Sequence, residues 1–167
     1  MTTPPDDIHI TLADLSIPSV AADAVAMIDA FARDGGAEID PAVRTRLADG
    51  LREHPTTEIL LAHRNREENR EPVGIAVCFR GFSTFSARPI LNIHDLMVMP
   101  SARKQGVARA LLRAVEKRAR ELGCCKVTLE SHEHNTAANR LYESEGFDHR
   151  DVTPRAGDVF FWGKRLE

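Results

Sequence analysis

The chain lacks most of the features that would tie it to a membrane, an oxidising compartment or a nucleic acid. No uncharged run approaches the roughly 20 residues that a bilayer-spanning helix needs. Residues 1–7 carry neither a basic start nor an apolar core, so they are expected to be flexible rather than a leader. Cysteine is scarce and odd in number: Cys78, Cys124 and Cys125 provide neither a disulfide framework nor the paired spacing of a zinc site. A soluble protein in a reducing, cytoplasmic setting is therefore expected. The net charge of −3 leaves no basic field for nucleic acid or an anionic membrane, and a slight acidic excess favours a cationic substrate. No internal repeat, low-complexity tract, Gly-x-x-x-x-Gly-Lys-Ser/Thr run or Gly-x-Gly-x-x-Gly run is present, which leaves a nucleotide-binding domain without motif support.

What is there suits one domain. With 167 residues and 43% hydrophobic content, the chain can build one substantial core and is short for two, so residues 1–167 are expected to form a single domain. Residues 8–12 alternate as a short strand. A helix follows in which Val20, Ala24, Met27, Ile28 and Phe31 recur at helical spacing, with Ser19 as its cap and Gly35-Gly36 as its stop. Asp40 caps a second helix with Pro41 at its first position, a buried stripe of Val43, Leu47 and Leu51, and an end at His54-Pro55.

Residues 58–63 and 73–79 read as strands separated by a charged octet, residues 64–71, that has no apolar face and is expected to be a solvated hairpin connection. Residues 81–89 lead to a central strand. Within them Phe82 and Phe85 either pack beneath the loop or line a substrate pocket. A further strand is expected at 126–130, a helix at 136–145 capped by Asn135, and two last strands at 147–152 and 159–164. The order, roughly β-α-α-β-β-β-α-β-α-β-β, describes an α/β fold whose mixed sheet is flanked by helices.

Residues 90–122 are the organising stretch. An apolar run ends at Pro100, and helix formers follow Gly106 without interruption, which gives strand, basic turn, helix. A helix start leaves up to four backbone N–H groups unpartnered at the positive end of the dipole, so it favours an anion by about 0.3–1 kcal/mol, and up to roughly 2 when partly buried. Phosphate is the natural guest. Gly106 allows close backbone approach, Ala108 keeps the first turn open, and Arg103 and Lys104 add positive charge.

Two motifs in this region resemble those of the GCN5-related N-acetyltransferases. Arg103-x-x-Gly106-x-Ala108, after Leu96-Met97-Val98 and Pro100, is similar to the family's acyl-CoA pyrophosphate loop. Asn135-x-x-Ala138-x-x-x-Tyr142-x-x-x-Gly146-Phe147 resembles the series on its later helix. The resemblance covers roughly residues 92–147. It implies a mostly antiparallel sheet with one splayed parallel strand pair, about four helices, and acetyl-CoA as co-substrate with no metal. Pantetheine would pair with the backbone of Leu96, Met97 and Val98, the pyrophosphate would rest on the amides of Lys104, Gln105, Gly106, Val107 and Ala108 beside Arg103, and Asn135, Asn139 and Tyr142 would also contact the cofactor. The implied partner is a small-molecule or peptide amine, with no nucleic acid or membrane, and a homodimer is possible.

The implied reaction moves an acetyl group to a primary amine by direct attack. An alkylammonium of pKa about 10.4 must first lose its proton, at roughly 4–5 kcal/mol near neutral pH, so a base is needed. Tyr142 takes the family's position for the acid. The base is open: many relatives carry a Glu where this chain has His94-Asp95, which leaves His94, Asp95 and Glu130 as candidates. Asp95 would alternate to the opposite strand face from His94 unless the strand bulges there. Asn92 and His94, with Phe82 and Phe85, are the candidate substrate-binding residues. His132 and His134 beside Glu130 and Glu133 look like a metal cluster, but the implied chemistry needs none. The missing Glu keeps one alternative in view, a non-catalytic acyl-CoA-binding sensor of the same fold.

Overall fold

A computed structural model describes residues 7–66 and 69–148. In chain order the elements are β1 (Ile8–Leu12), α1 (Pro18–Asp34), α2 (Pro41–Glu53), β2 (Thr57–Arg66), β3 (Asn69–Ser83), β4 (Arg88–Val98), a 3-10 turn at Pro100–Ala102, α3 (Val107–Glu121), β5 (Val127–Leu129) and α4 (Thr136–Ser144). The strands expected at 147–152 and 159–164 fall outside the described residues except for Phe147 and Asp148. Contacts group the chain into two units, residues 1–132 and residues 133–167. The first holds the sheet and α1 to α3, and the second holds α4.

The sheet is mixed and open, in the order β1-β2-β3-β4-β5. The first three pairings are antiparallel and the last, β4 with β5, is parallel. One face carries α1, against a cluster of Leu15, Ala24, Met27, Ile59, Leu61, Ile75, Val77 and Met97. Strand alternation puts Leu60, Ala76, Cys78, Leu91 and Ile93 on the other face, which α3 covers with Val107, Leu111 and Val115. Each such large side chain contributes about 1.5–3 kcal/mol when fully buried. Gly74 lets α3 approach closely: a Cβ there would lie 3.0 Å from Leu111 Cδ1, 3.2 Å from Val107 Cγ1 and 3.2 Å from the Met97 carbonyl oxygen.

Four local expectations are corrected. Pro18 opens α1 and Ser19 does not cap it, because the proline already supplies a helical φ and lacks the N–H that a cap would satisfy. Most of the charged octet is strand: Arg64 pairs with Glu71, Asn65 with Arg70 and Arg66 with Asn69 in the ladder, so β2 extends to Arg66 and β3 begins at Asn69. Arg64 is buried there, held by Asp7 at 3.5 Å and by the Gln105 side-chain oxygen at 2.6 Å. The connection expected at 81–89 shortens to a turn at 84–87, because Gly81, Phe82 and Ser83 pair with Ile90, Pro89 and Arg88. Finally, α2 buries none of its residues. Its cap is as expected, Asp40 accepting from the Ala42 N–H at 2.8 Å, and Arg44 holds it to Asp29 of α1 at 3.4 Å. Of its stripe, Leu51 packs against the core cluster, Leu47 is half-buried and Val43 is exposed.

Candidate active site

The site grows from the end of β4. Parallel pairing with β5 covers only Leu91, Asn92 and Ile93, opposite Val127, Thr128 and Leu129, while β4 continues for five more residues to Val98. The Met99 N–H donates to the Val73 carbonyl at 2.9 Å, which fixes the alternation. The N–H groups of Val98 and Leu96 therefore point away from β3, toward an edge that no described strand fills. An exposed edge of this kind is a template for an extended, strand-like ligand.

Directly after that edge the chain coils. Lys104 and Gly106 both take left-handed φ values, +63° and +83°, and Gly106 is the N-cap of α3 without any side-chain cap bond. Backbone curled this way in front of a helix turns N–H groups inward, the arrangement that receives an anion. The side chains around the loop brace it. Gln105 accepts from Arg64 and donates to the Ser101 carbonyl at 3.0 Å. Arg103 donates to both carboxylate oxygens of Asp34 at 2.7 Å, and its Nε donates to the Val98 carbonyl at 3.1 Å. Its charge is thus tied to the end of α1 and the end of β4. Lys104 is exposed and has no ion-pair partner among the described residues.

β4 carries a bulge beside this edge. Val77 pairs with Asp95 and Cys78 with Ile93, so His94 stands opposite no residue. The extra residue resets the alternation. Asp95 consequently shares the α1 face with Val77 and Met97. The exposed His94 ring lies edge-on to Phe79 with centroids 5.6 Å apart, and Phe79 packs against the same face. The alternation expected to set Asp95 on the face opposite His94 is therefore interrupted by the bulge. Burial raises the Asp95 pKa above its ordinary 3.8, and the neighbouring His94 opposes this.

Asn92 ties β4 to β5. Its amide nitrogen donates to Thr128 Oγ1 at 3.1 Å and lies 3.5 Å from Glu130 Oε2 at the exposed end of β5. Phe82 and Phe85 stand apart from these groups: Phe82 alternates to the α3 face and is 63% exposed, and Phe85, at the hairpin turn, is 100% exposed. The aromatic residue on the α1 face is Phe79, three residues before Phe82. Sequence reasoning missed it because a phenylalanine inside a strand looks like core.

An open cleft of about 370 Å³ adjoins Phe79, lined also by Arg46, Leu47, Gly50, Leu51 and His54. The His54 ring lies edge-on to the Phe79 ring with centroids 5.4 Å apart. Leu47 and Leu51 of the α2 stripe thus line the cleft.

In the second unit Asn135 caps α4, accepting from the Ala138 N–H at 3.4 Å, and the Asn139 amide donates to the Glu133 carbonyl at 3.2 Å. The Tyr142 ring is tilted against Phe147, centroids 5.9 Å apart, and burial raises its pKa, which keeps the hydroxyl protonated. Among the described residues no three His, Cys, Asp or Glu side chains are grouped to hold a metal, and no helix is long and apolar enough to cross a membrane.

The fold and the site together define a class: an α/β protein whose opened strand edge and unblocked helix start can hold an extended arm ending in phosphate. The family model described as acetyltransferase (GNAT) family matches residues 25–147, and the chain belongs to that family. It is 37% identical over 82 residues to the uncharacterized N-acetyltransferase YhfO of Bacillus subtilis (strain 168), covering 49% of this chain and 55% of that protein. It is 27% identical over 77 residues to the aminoglycoside N(6')-acetyltransferase type 1 of Salmonella typhimurium, covering 46% and 49%. The chain therefore spans about half the length of the curated relatives it matches. Among solved structures, a probable acetyltransferase superposes with a TM-score of 0.78 at 19% identity over 95% of this chain and 99% of that one. AAC(6')-Iy in complex with the bisubstrate analog CoA-S-monomethyl-acetylneamine superposes with a TM-score of 0.71 at 16% identity, over 95% and 98%. At such identities the likeness is one of fold.

Proposed function

We propose that the protein transfers the acetyl group of acetyl-CoA to a primary amine in a ternary complex. The observation that carries this reading is the adjacency of the β4 edge that no described strand fills and the entry to α3, left-handed and without a side-chain cap. Leu96, Met97 and Val98 would hold the pantetheine arm by their backbone, and the amides of Lys104 to Ala108 would hold the pyrophosphate. Lys104 supplies charge at the rim, whereas Arg103 positions the loop through Asp34 and Val98. No metal is needed.

In the transfer, the amine nitrogen forms a bond to the thioester carbonyl carbon and the C–S bond breaks. The ammonium proton goes to a base, and the departing thiolate takes one from an acid. The Val98 N–H, on the open side of β4, suits the developing oxyanion. Asp95 is our choice as base: its half-buried carboxylate binds a proton more readily than an exposed one. His94 and Glu130 are the alternatives, acting directly or through water. Tyr142, kept protonated by burial, suits the acid.

The test is acetyl-CoA binding by calorimetry together with mass-spectrometric detection of acetylated amines. Wild type should bind, and Gly106→Val should bind roughly tenfold more weakly, about 1.4 kcal/mol, within what a helix start contributes to an anion. Failure of the wild type to bind acetyl-CoA would refute the reading. Tight binding with no amine acetylated would leave the acyl-CoA sensor in its place.

A further inference from the structure

The cleft beside Phe79 says more about the acceptor than the family does. Three features of α2 are unexplained by folding. No residue of the helix is buried, and although Leu51 touches the core, Leu47 and Leu51 both line the open cleft. Gly50 sits inside the helix, where glycine costs about 1 kcal/mol relative to alanine. Yet no atom lies within 4 Å of the position its Cβ would take, and its φ is not left-handed, so neither packing nor backbone geometry requires it. What the glycine does is keep the cleft wide. Arg46, one turn earlier, is the one charged residue in the lining among the described residues. Its Nε donates to the Ala42 carbonyl of its own helix at 3.3 Å, and no carboxylate pairs with it among the described residues.

The rings continue the wall toward the reacting groups. His54, Phe79 and His94 form an edge-to-face series, and His94 precedes Asp95 and the open edge of β4. A molecule lying on α2 and Phe79 would thus meet a flat apolar surface along its body and a guanidinium at one end, with its other end toward Asp95.

We infer that this cleft receives the acceptor, and that the acceptor is a primary amine on an apolar, preferably aromatic, frame carrying a carboxylate for Arg46. An amino acid or short peptide with an apolar first residue fits. A polycation does not: among the described residues the lining has no acidic group to neutralise it and one arginine to repel it, despite the slightly acidic net charge of the whole chain. The inference rests on the acetyl-transfer reading and deepens it.

The experiment compares kcat/KM for phenylalanine, 2-phenylethylamine, the dipeptide Phe-Gly and the aminoglycoside kanamycin, using the full chain and saturating acetyl-CoA. Phenylalanine and Phe-Gly should exceed both of the others. Arg46→Gln should lower kcat/KM for phenylalanine about five- to tenfold and for 2-phenylethylamine less than about twofold, since only the first offers a charge-assisted bond. Gly50→Leu, whose Cβ has open space around it, should keep or slightly raise the melting temperature through helix propensity, leave the KM for acetyl-CoA in place and raise the KM of every apolar acceptor more than about tenfold. Kanamycin acetylated in preference to the apolar amines would overturn the inference, as would an unchanged acceptor KM in Gly50→Leu or an equal effect of Arg46→Gln on both phenyl amines. Each of these results leaves acetyl transfer standing. Binding of acetyl-CoA without acetylation of any amine removes both readings together.

Discussion

Gly74→Ala is the sharpest test of how the phosphate corner is built. The new methyl would stand 3.0 Å from Leu111 Cδ1 and 3.2 Å from both Val107 Cγ1 and the Met97 carbonyl oxygen, where carbon contacts prefer about 3.5–4.0 Å. Leu111 and Val107 are fully buried, so neither has room to turn away, and the carbonyl belongs to the β3–β4 ladder. The start of α3 must therefore retreat by several tenths of an ångström. Overpacking of this kind costs about 1–3 kcal/mol, against about 0.4–1 kcal/mol returned by the stiffer unfolded chain. We expect a net loss of about 1–2 kcal/mol, or a melting temperature lower by roughly 3–6 °C for a chain of this size. Because Val107 follows Gly106 and Met97 precedes Val98, the same retreat should weaken acetyl-CoA binding severalfold, read by calorimetry. Gly50→Ala is the control: with no atom in its way it should stabilise the protein by about 0.8–1 kcal/mol through helix propensity alone. If Gly74→Ala melts at or above the wild-type temperature and binds acetyl-CoA normally, the close approach of α3 to β3 is not what positions the loop.

Three further outcomes follow from groups held away from water. Burial raises the Asp95 pKa, so activity that needs its carboxylate ionised should rise with pH through a limb above 3.8; Asp95→Asn should abolish that limb without loss of stability at pH 7, and an unaltered pH–rate profile would remove Asp95 from the mechanism. Arg70 can only donate to His63 Nδ1 (2.9 Å), so Nε2–H donates to Asp23 (2.9 Å) and the buried ring is neutral, its pKa lowered by desolvation with Asp23 opposing. The unfolded chain takes up a proton near pH 6.5 that the folded chain refuses. Stability is then complete above that pH and falls below it, by at most about 1.4 kcal/mol per unit. Urea unfolding between pH 5 and 8 should show this slope in the wild type and not in His63→Gln; equal slopes would place the titration elsewhere. Burial, reinforced by Glu58 and Asp95, pushes the Cys78 thiol up to about 12. In the native protein at pH 8 it should resist Ellman's reagent and react only in denaturant, and rapid native modification would contradict its burial.

The parts of this protein that were legible in its sequence are those whose cause is local. The entry to α3 could be read because Gly106 and the helix formers after it act within one or two turns of backbone. The caps at Asp40 and Asn135 could be read because a carboxylate or amide reaches only the next few N–H groups. The first five strands followed from periodicity and the mixed character of the sheet from the order of elements, while the strands expected at 147–152 and 159–164 lie outside the described residues apart from Phe147 and Asp148. Tertiary structure decided the rest. Whether the stripe of Leu47 and Leu51 meets core or open space depends on where α1 and the sheet stop, which no helical period encodes. Residues 64–66 and 69–71 became strand because each found a ladder partner across β2 and β3, an energy that exists only once the two segments meet. The bulge at His94, which sets Asp95 on the α1 face, is a register between β3 and β4, and Phe79 became a cleft wall only because α2 stands off it. Backbone stiffness and capping are written residue by residue, whereas register and the covering of a face are settled by segments far apart in the chain, and it is the second kind of contact that shapes a site.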